Sequence, residues 1–171
     1  LIVPSIEREI RRDLTERSES HAVDVFARNL RQLFLQPPVR GYRIMGIDPG
    51  FRSGCKVAVI DETGQPVGHG VFSIVGNAER INNNKERLNN LIKEHQPQLI
   101  AIGNGRGCRS VEQFVSDAIS GDLADRNIRY TIVNQAGTSA YSTSDLGQQE
   151  LPDHGPLIRS AISIARRLQD P

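Results

Sequence analysis

The nine residues YRIMGIDPG, numbered 42–50, decide the fold class. An apolar run ends there in the acid Asp48, and Pro49 and Gly50 follow it. Proline lacks an amide donor and glycine accepts backbone angles that other residues avoid, so this pair ends the run in a turn. The pattern predicts a buried strand over Tyr42–Asp48 that presents a carboxylate at the open end of a sheet.

Segments of alternating type follow this strand. Two further strands are predicted at Cys55–Asp61 and Val67–Ile74, joined by the hairpin signal Asp61-Glu62-Thr63-Gly64. Beyond them the pattern predicts helices at Asn77–His95, Arg109–Ile119, Ser139–Leu146 and from Pro156 onward, and strands at Leu99–Ile102 and Arg129–Val133. This order resembles the ribonuclease-H-like arrangement, an α/β fold with a mixed five-stranded sheet and helices on both faces.

Residues 1–38 are predicted to form a separate N-terminal helical segment. Apolar residues recur at helical spacing from Pro4 to Leu35, and Ser18 and Ser20 offer a break between two helices. The prolines at 37 and 38 end the pattern, so the main domain is expected to span residues 39–171. Within that domain, the run Asn82–Asn84 is interpreted as the solvated face of a helix.

Composition narrows the class of protein. With 171 residues and 37% hydrophobic side chains, the chain can bury one sizeable core. It has no apolar run of about 18 residues and no basic apolar leader, so we expect a cytoplasmic protein without membrane contact. Cys55 and Cys108 lack metal-site spacing, and the net charge of +1 leaves the partner to local patterns. Because the chain opens at Leu1, we expect a fragment of a longer protein.

Longer stretches carry a family resemblance. The segment GIDPG at residues 46–50 resembles the first-strand motif of RuvC-type resolvases and YqgF domains. The chain as a whole resembles the YqgF domain of the Tex family of bacterial transcription accessory proteins in LRQLFLQPPV (30–39), IDPGFRSGCKVAVI (47–60), LIAIGNG (99–105), VNQAGTSAYSTS (133–144) and SAISIARRLQDP (160–171). Residues 106–108 and 154–156 depart from the family pattern. The resemblance implies flanking helical modules, helix-hairpin-helix elements and an S1-type nucleic-acid-binding domain elsewhere in a full-length protein.

The resemblance also implies where a nuclease would gather its acids. Two-metal nucleases hold two cations about 4 Å apart with several carboxylates, which resolvase-like folds supply from the first strand, the fourth strand and the last helix. Asp48 fills the first position, but Asn104 stands at the second and Arg159 and Ser160 at the third. A lone carboxylate cannot neutralise two divalent cations, and an arginine would repel them. We therefore predict no metal site, with Mg²⁺ expected only if the domain is catalytic.

Two acids remain as catalytic candidates. Asp48 could hold one metal ion or contact nucleic acid, although capping the Pro49-Gly50 turn is the more conservative interpretation. Asp153 precedes the last helix and could swing toward Asp48, but an acid at a helix start is also favoured by the helix dipole alone.

The loop Gly103–Gly107 is the main binding candidate. A glycine-rich turn that leaves a strand and enters a helix exposes backbone amides that can hold a phosphate, although a tight connection alone also calls for glycine. Polar and basic residues that could contact a phosphate backbone lie in this loop, beside the first hairpin and on the last helix: Arg52, Lys56, Asn104, Arg106, Arg109 and Arg159, with Arg166 and Arg167.

The sequence therefore favours a nucleic-acid-associated module, for RNA before DNA, that binds or scaffolds without catalysis. Two alternatives stay open. One is a metal-dependent RuvC-like nuclease that uses Asp48 with Asp153, and the other is an architectural spacer that positions flanking domains.

Overall fold

The computed structural model describes residues 2–50 and 54–171, without the side chains of residues 2 and 33. The chain divides into two compact units, residues 1–37 and residues 38–170. The first unit is one continuous helix, α1 (Ile2–Phe34). The expected break at Ser18 and Ser20 is wrong. No proline or glycine occurs between residues 5 and 36, and the modest helix penalty of serine does not interrupt a chain rich in Glu, Arg and Leu.

The second unit is built on a five-stranded sheet in the order β3-β2-β1-β4-β5. The strands are β1 (Ile44–Asp48), β2 (Cys55–Ile60), β3 (Pro66–Phe72), β4 (Leu99–Gly103) and β5 (Arg129–Val133). β1, β2 and β3 form an antiparallel meander, whereas β4 and β5 run parallel to β1. The mixed sheet predicted from the sequence is confirmed.

Helices cover both faces of this sheet. They are α2 (Ala78–His95), α3 (Cys108–Ser120), α4 (Thr138–Thr143), α5 (Asp145–Glu150) and α6 (Pro156–Gln169), with a short 3₁₀ turn at Ala124–Arg126. On one face, α2 and α3 pack against Met45, Ile47 and Ile102. On the other, α6 packs against Ile44, Ala58 and Ala101. Alternate residues of β1, β2 and β4 thus serve two cores.

Two local features differ from the sequence interpretation. The helix expected at Ser139–Leu146 is two short helices, because Ser144 is extended and its hydroxyl caps α5 by accepting from the Gly147 amide at 3.1 Å. The asparagine run is not wholly solvated. Asn84 is 6% exposed, and its side-chain amide donates to the Arg80 carbonyl at 2.7 Å, which satisfies it inside the fold.

The contact between α6 and β1 is unusually close. A Cβ on Gly46 would meet the Ala161 carbonyl oxygen and would lie 2.9 Å from both the backbone nitrogen and the Cβ of Ala165. Only glycine on the strand and alanines on the helix leave room for this approach. Nothing in the described part of the chain forms a helix long and apolar enough to cross a bilayer.

Candidate functional site

Three parallel strands end at one edge of the sheet. β1 ends at Asp48, while Asn104 and Asn134 directly follow β4 and β5. These ends are in contact, since a Cβ on Gly103 would meet the Gln135 side-chain oxygen and lie 3.2 Å from the Pro49 Cδ. In open α/β sheets, ligands bind beyond the carboxyl ends of parallel strands. The strand-end edge, defined by Asp48, Asn104 and Asn134–Gln135, is therefore the candidate site.

Asp48 is half-buried and faces Lys56 across the β1–β2 pair. Lys56 is only 5% exposed, and its Nζ would lie 3.0 Å from a Cβ on Gly50. This burial corrects the expectation that Lys56 contacts a phosphate from the surface. The neighbouring Cys55 is fully buried, and desolvation by burial raises the pKa of its thiol. Cys55 therefore stays a neutral thiol beside this acid.

Asn104 fastens two strand ends together. Its backbone amide donates to the Val133 carbonyl at 2.9 Å, and its Oδ1 accepts the backbone N–H of Gln135 at 3.0 Å. The side chain at the position where the resemblance implies a second acid thus has a structural task. A carboxylate would offer the same acceptor, so the amide is not required for the bond but leaves the edge without a second charge.

The Asn134–Ala136 loop is held by further bonds that the sequence did not predict. Arg167 of α6 donates to the carbonyls of Asn134 and Ala136 at 2.6 and 2.9 Å. Partial burial lowers the pKa of the Arg167 guanidinium. The Oε1 of Gln135 is buried and has no hydrogen-bond partner among the described residues. Polar residues directly after β5 were the only sequence signal for this part of the edge.

Arg159 is buried, although we expected it to lie at the surface. It is 7% exposed, and its guanidinium donates to the Leu151 carbonyl at 3.0 Å and to the Ser142 carbonyl at 3.3 Å. We therefore correct its predicted phosphate contact to a bond between helix α6 and the segments before it. Its neighbour Ser160 is 4% exposed, and its hydroxyl has no partner among the described residues.

Arg166 is also engaged within the fold. It donates to the Gly64 carbonyl at 2.8 Å and pairs with Glu150 at 2.7 Å. The three arginines of α6 that the sequence offered for nucleic acid therefore all make internal contacts.

Asp153 is exposed in the turn before α6. The next residue, His154, places its ring edge-on to that of His69 on β3, with 5.5 Å between centroids. Asp48 lies on β1, and β1 and β3 are two strand spacings apart in the sheet, which corresponds to about 10 Å between the strands. No group of three or more His, Cys, Asp or Glu side chains suited to a metal ion occurs within residues 2–50 and 54–171.

The glycine loop keeps its predicted form. Gly107 adopts a left-handed φ of 91° and directly precedes α3 without a side-chain cap. Arg106 and Arg109 are exposed, and within the described ranges neither guanidinium has a hydrogen bond or ion pair. A cavity of about 520 Å³ lies beside the loop, lined in part by Asn104, Gly105 and Arg109. Arg52, the remaining predicted contact, lies outside the described residues.

Comparison with solved structures defines the class of fold. Thermus thermophilus RuvC superposes with a TM-score of 0.53 and 15% identity, covering 73% of this chain and 91% of RuvC. RuvC of the same organism in complex with a Holliday junction substrate gives a TM-score of 0.51 and 14% identity, covering 74% and 91%. Together with the sheet order and the two-sided helix packing, these matches establish a RuvC-like, ribonuclease-H-like domain.

The sequence relatives are more specific. The model of the Tex protein YqgF-like domain matches residues 42–169, and the chain therefore belongs to this family. It is 45% identical to the uncharacterized protein YdcI of Bacillus subtilis, covering 100% of this chain and 24% of YdcI. Identity is 41% to the human S1 RNA-binding domain-containing protein 1, covering 100% and 17%.

For the transcriptional accessory protein Tex of Neisseria gonorrhoeae, identity is 39%, covering 98% of this chain and 21% of that protein. The chain thus spans a quarter or less of these curated relatives.

Proposed function

We propose that this domain is a nucleic-acid-binding module of a Tex-family protein and that it does not perform two-metal nuclease chemistry. The observation that carries the proposal is the exposed pair Arg106 and Arg109 beside the glycine loop. Both guanidinium groups lack partners within the described ranges, whereas the arginines of α6 are engaged inside the fold. Exposed cations without partners, beside the start of a helix that no side chain caps, suit a phosphate.

Electrostatics at the strand-end edge argue against two bound cations. Asp48 faces the buried ammonium of Lys56, and Asn104 contributes a neutral amide that already accepts from Gln135. Two Mg²⁺ ions bring four positive charges, which a single carboxylate leaves largely uncompensated. If a metal binds here at all, we infer one weakly held Mg²⁺ at Asp48, because oxygen ligands are what this cation prefers.

The proposed ligand is RNA in preference to DNA. A relative of 41% identity is named S1 RNA-binding domain-containing protein 1, while the RuvC neighbour of 14% identity was solved in complex with a Holliday junction substrate. In a full-length protein the domain would work beside helical, helix-hairpin-helix and S1 modules of the same chain. We place it in the cytoplasm, since Cys55 and Cys108 are free thiols that fit a reducing compartment.

Binding by the 171-residue chain tests the proposal. We expect single-stranded RNA to bind in a salt-sensitive manner, and the double variant Arg106→Gln/Arg109→Gln to flatten the dependence of log K on log salt by about 0.7 for each phosphate that is no longer neutralised. Competition with single-stranded DNA and a four-way junction measures the preference. The matched control is Arg126→Gln/Arg129→Gln, which removes the same charge at other exposed positions.

The same 171-residue chain distinguishes the nuclease and spacer alternatives. Cleavage of RNA or a junction with Mg²⁺ or Mn²⁺ that disappears in Asp48→Ala would establish a nuclease and refute the proposal. Absence of both binding and cleavage would leave the spacer interpretation, in which the domain only positions its neighbours.

A further inference from the structure

A second cleft, separate from the cavity beside the glycine loop, lies at the end of the sheet that carries the strand-end edge. It occupies about 440 Å³ between the end of β3 and the first half of α2. Its polar lining comes from Ser73, Arg80, Asn83, Asn84 and Arg87. We call it the α2 cleft. None of its residues belongs to the strand-end edge or to the glycine loop.

The charge of the α2 cleft is positive. Arg80, Asn83 and Arg87 are three and four residues apart, so they share one face of the helix. Among the described residues, no acidic side chain lines the cleft. Neither guanidinium of Arg80 and Arg87 has an ion pair or hydrogen bond within the described part of the chain, in contrast to Arg43 and Arg166, which pair with Glu62 and Glu150.

The cleft is anchored by the fold. The buried amide of Asn84 donates to the Arg80 carbonyl at 2.7 Å. The Arg80 stem packs on Gly76, where an added Cβ would lie 2.7 Å from its Cδ. Asn77 caps the helix by accepting from the Arg80 amide at 3.0 Å. These contacts fix the backbone and stem of Arg80, which reduces the entropy lost when its head group binds an anion.

Its location relates it to the glycine loop. Cys55 pairs with Phe72 one step beyond the pairing of Asp48 with Lys56, so the α2 cleft opens at the same edge as Asp48. Helices α2 and α3 cover one face of the sheet, and Phe114 of α3 stacks on Phe72 with 5.2 Å between ring centroids. β3 and β4 are three positions apart in the sheet, which corresponds to about 14 Å.

We propose that the α2 cleft binds a backbone phosphate of the same nucleic-acid strand that contacts the glycine loop, so that the strand crosses the sheet edge from β4 to β3. This inference rests on the proposed function and extends it to a second contact. Two phosphate contacts about 14 Å apart give the strand a path rather than a single anchoring point.

The test is a salt titration of RNA binding by the 171-residue chain and the variant Arg80→Gln/Arg87→Gln. We expect affinity for a single strand long enough to span both contacts to fall on the order of tenfold at moderate salt. The slope of log K against log salt should flatten by about 0.7, because the variant no longer neutralises the one phosphate held in the cleft. Cytidine monophosphate serves as the short probe, because it cannot reach both contacts.

The matched control is Lys93→Gln/Arg129→Gln. It removes the same charge from exposed residues at the opposite edge, since Lys93 lies in the last turn of α2 and Arg129 pairs with Leu99 at the start of β4. A charge-keeping variant, Arg80→Lys/Arg87→Lys, should restore most of the slope. This guards against mistaking a folding defect for weakened binding, and thermal unfolding of each variant is measured alongside.

The outcomes separate the two proposals. If the wild-type chain binds no nucleic acid, the proposed function fails. If it binds and the Arg106→Gln/Arg109→Gln variant weakens it while the α2-cleft variant matches its control, only the strand path is overturned. Equal losses for the monophosphate and the long strand would also overturn the path, because they would identify the cleft as a nucleotide site.

Discussion

The Oδ1 of Asn104 accepts the backbone N–H of Gln135 at 3.0 Å and so joins the ends of β4 and β5. This bond holds the strand-end edge in shape, and the neutral Asn104 amide adds no charge to it. A neutral side chain at this position keeps the loop in place without adding a second acid near Asp48.

Substitution of Asn104 should separate shape from charge. Asn104→Leu removes the acceptor, and we expect a loss of about 1 kcal/mol in the free energy of unfolding. Asn104→Asp keeps an acceptor and should change stability by less than about half of that. Denaturant titration measures both. We further expect Asn104→Asp to bind Mn²⁺ more tightly than the wild type in calorimetry, and an unchanged affinity would contradict our account of the missing charge.

Arg159 should matter for stability rather than for binding. Arg159→Met removes the donors to the carbonyls of Leu151 and Ser142, and the Leu151 carbonyl then keeps only the backbone N–H of His154. We expect a loss of about 1–3 kcal/mol in the free energy of unfolding. Arg109→Met, at an exposed position, is the control and should stay within about 0.5 kcal/mol. Normal stability together with weakened RNA binding in Arg159→Met would restore the contact that the sequence suggested.

Gly46→Ala tests the approach of α6 to β1. The added methyl would meet the Ala161 carbonyl, so the helix must move or the core must repack. Overpacking of this kind costs about 1–3 kcal/mol. Gly155→Ala is the matched control, because Gly155 has a φ of −70° and nothing within 4 Å of an added Cβ. A Gly46→Ala variant as stable as Gly155→Ala would show that the helix is not held at this distance.

Asp61 makes the stability of the β2–β3 turn depend on pH in the acidic range. Partial burial acts to raise its pKa, but hydrogen bonds from Thr63 and Gln65 and the charge of Arg43 together lower the pKa below its usual value. A lowered folded-state pKa contributes stability above the unfolded value of about 3.9, which is lost as pH falls through the folded value.

We therefore expect the stability difference between the wild type and Asp61→Ala to shrink below about pH 4. Urea unfolding across acidic pH measures it, and a difference that stays constant with pH would count against the role of the carboxylate charge.

Tyr141 should ionise late. Burial, followed by the hydrogen bond its hydroxyl donates to Glu150 at 2.5 Å, raises the pKa of Tyr141 to about 12. Because the raised pKa belongs to the folded state, the associated stability is complete below about pH 10 and declines as pH rises toward the folded value. The tyrosinate absorbance difference between the wild type and Tyr141→Phe should appear only near that higher pH. A difference centred near the ordinary tyrosine pKa would refute the contact with Glu150.

Periodicity and turn chemistry were sufficient for the sheet. The acid at the end of the first strand, the Asp61–Gly64 hairpin and the apolar run of β4 are local signals, and each appears where it was expected. The error in α1 has a physical reason as well. Serines are common at helix breaks, but only proline or glycine compels one, and neither is present there.

The side chains of the site were less predictable. Lys56 and Arg159 were assigned to the surface because lysine and arginine usually lie there. Their burial depends on partners that the fold brings from elsewhere, such as the Ser142 carbonyl 17 residues before Arg159. The exposed Asn104, Arg106 and Arg109 sit as expected because the loop that carries them is a local glycine feature. Their predicted contact with nucleic acid stays a prediction.

The position of α6 at the end of the domain has a consequence for biosynthesis. Its apolar side covers Ile44, Ala58 and Ala101 in the middle of the sheet, and Gln169 bonds the carbonyls of Tyr42 and Asp61. While the ribosome is still synthesising this helix, the apolar face of the sheet that it will cover is exposed to water. We therefore expect a nascent chain paused before residue 156 to bind chaperones, and native folding to be completed only after this helix has left the exit tunnel.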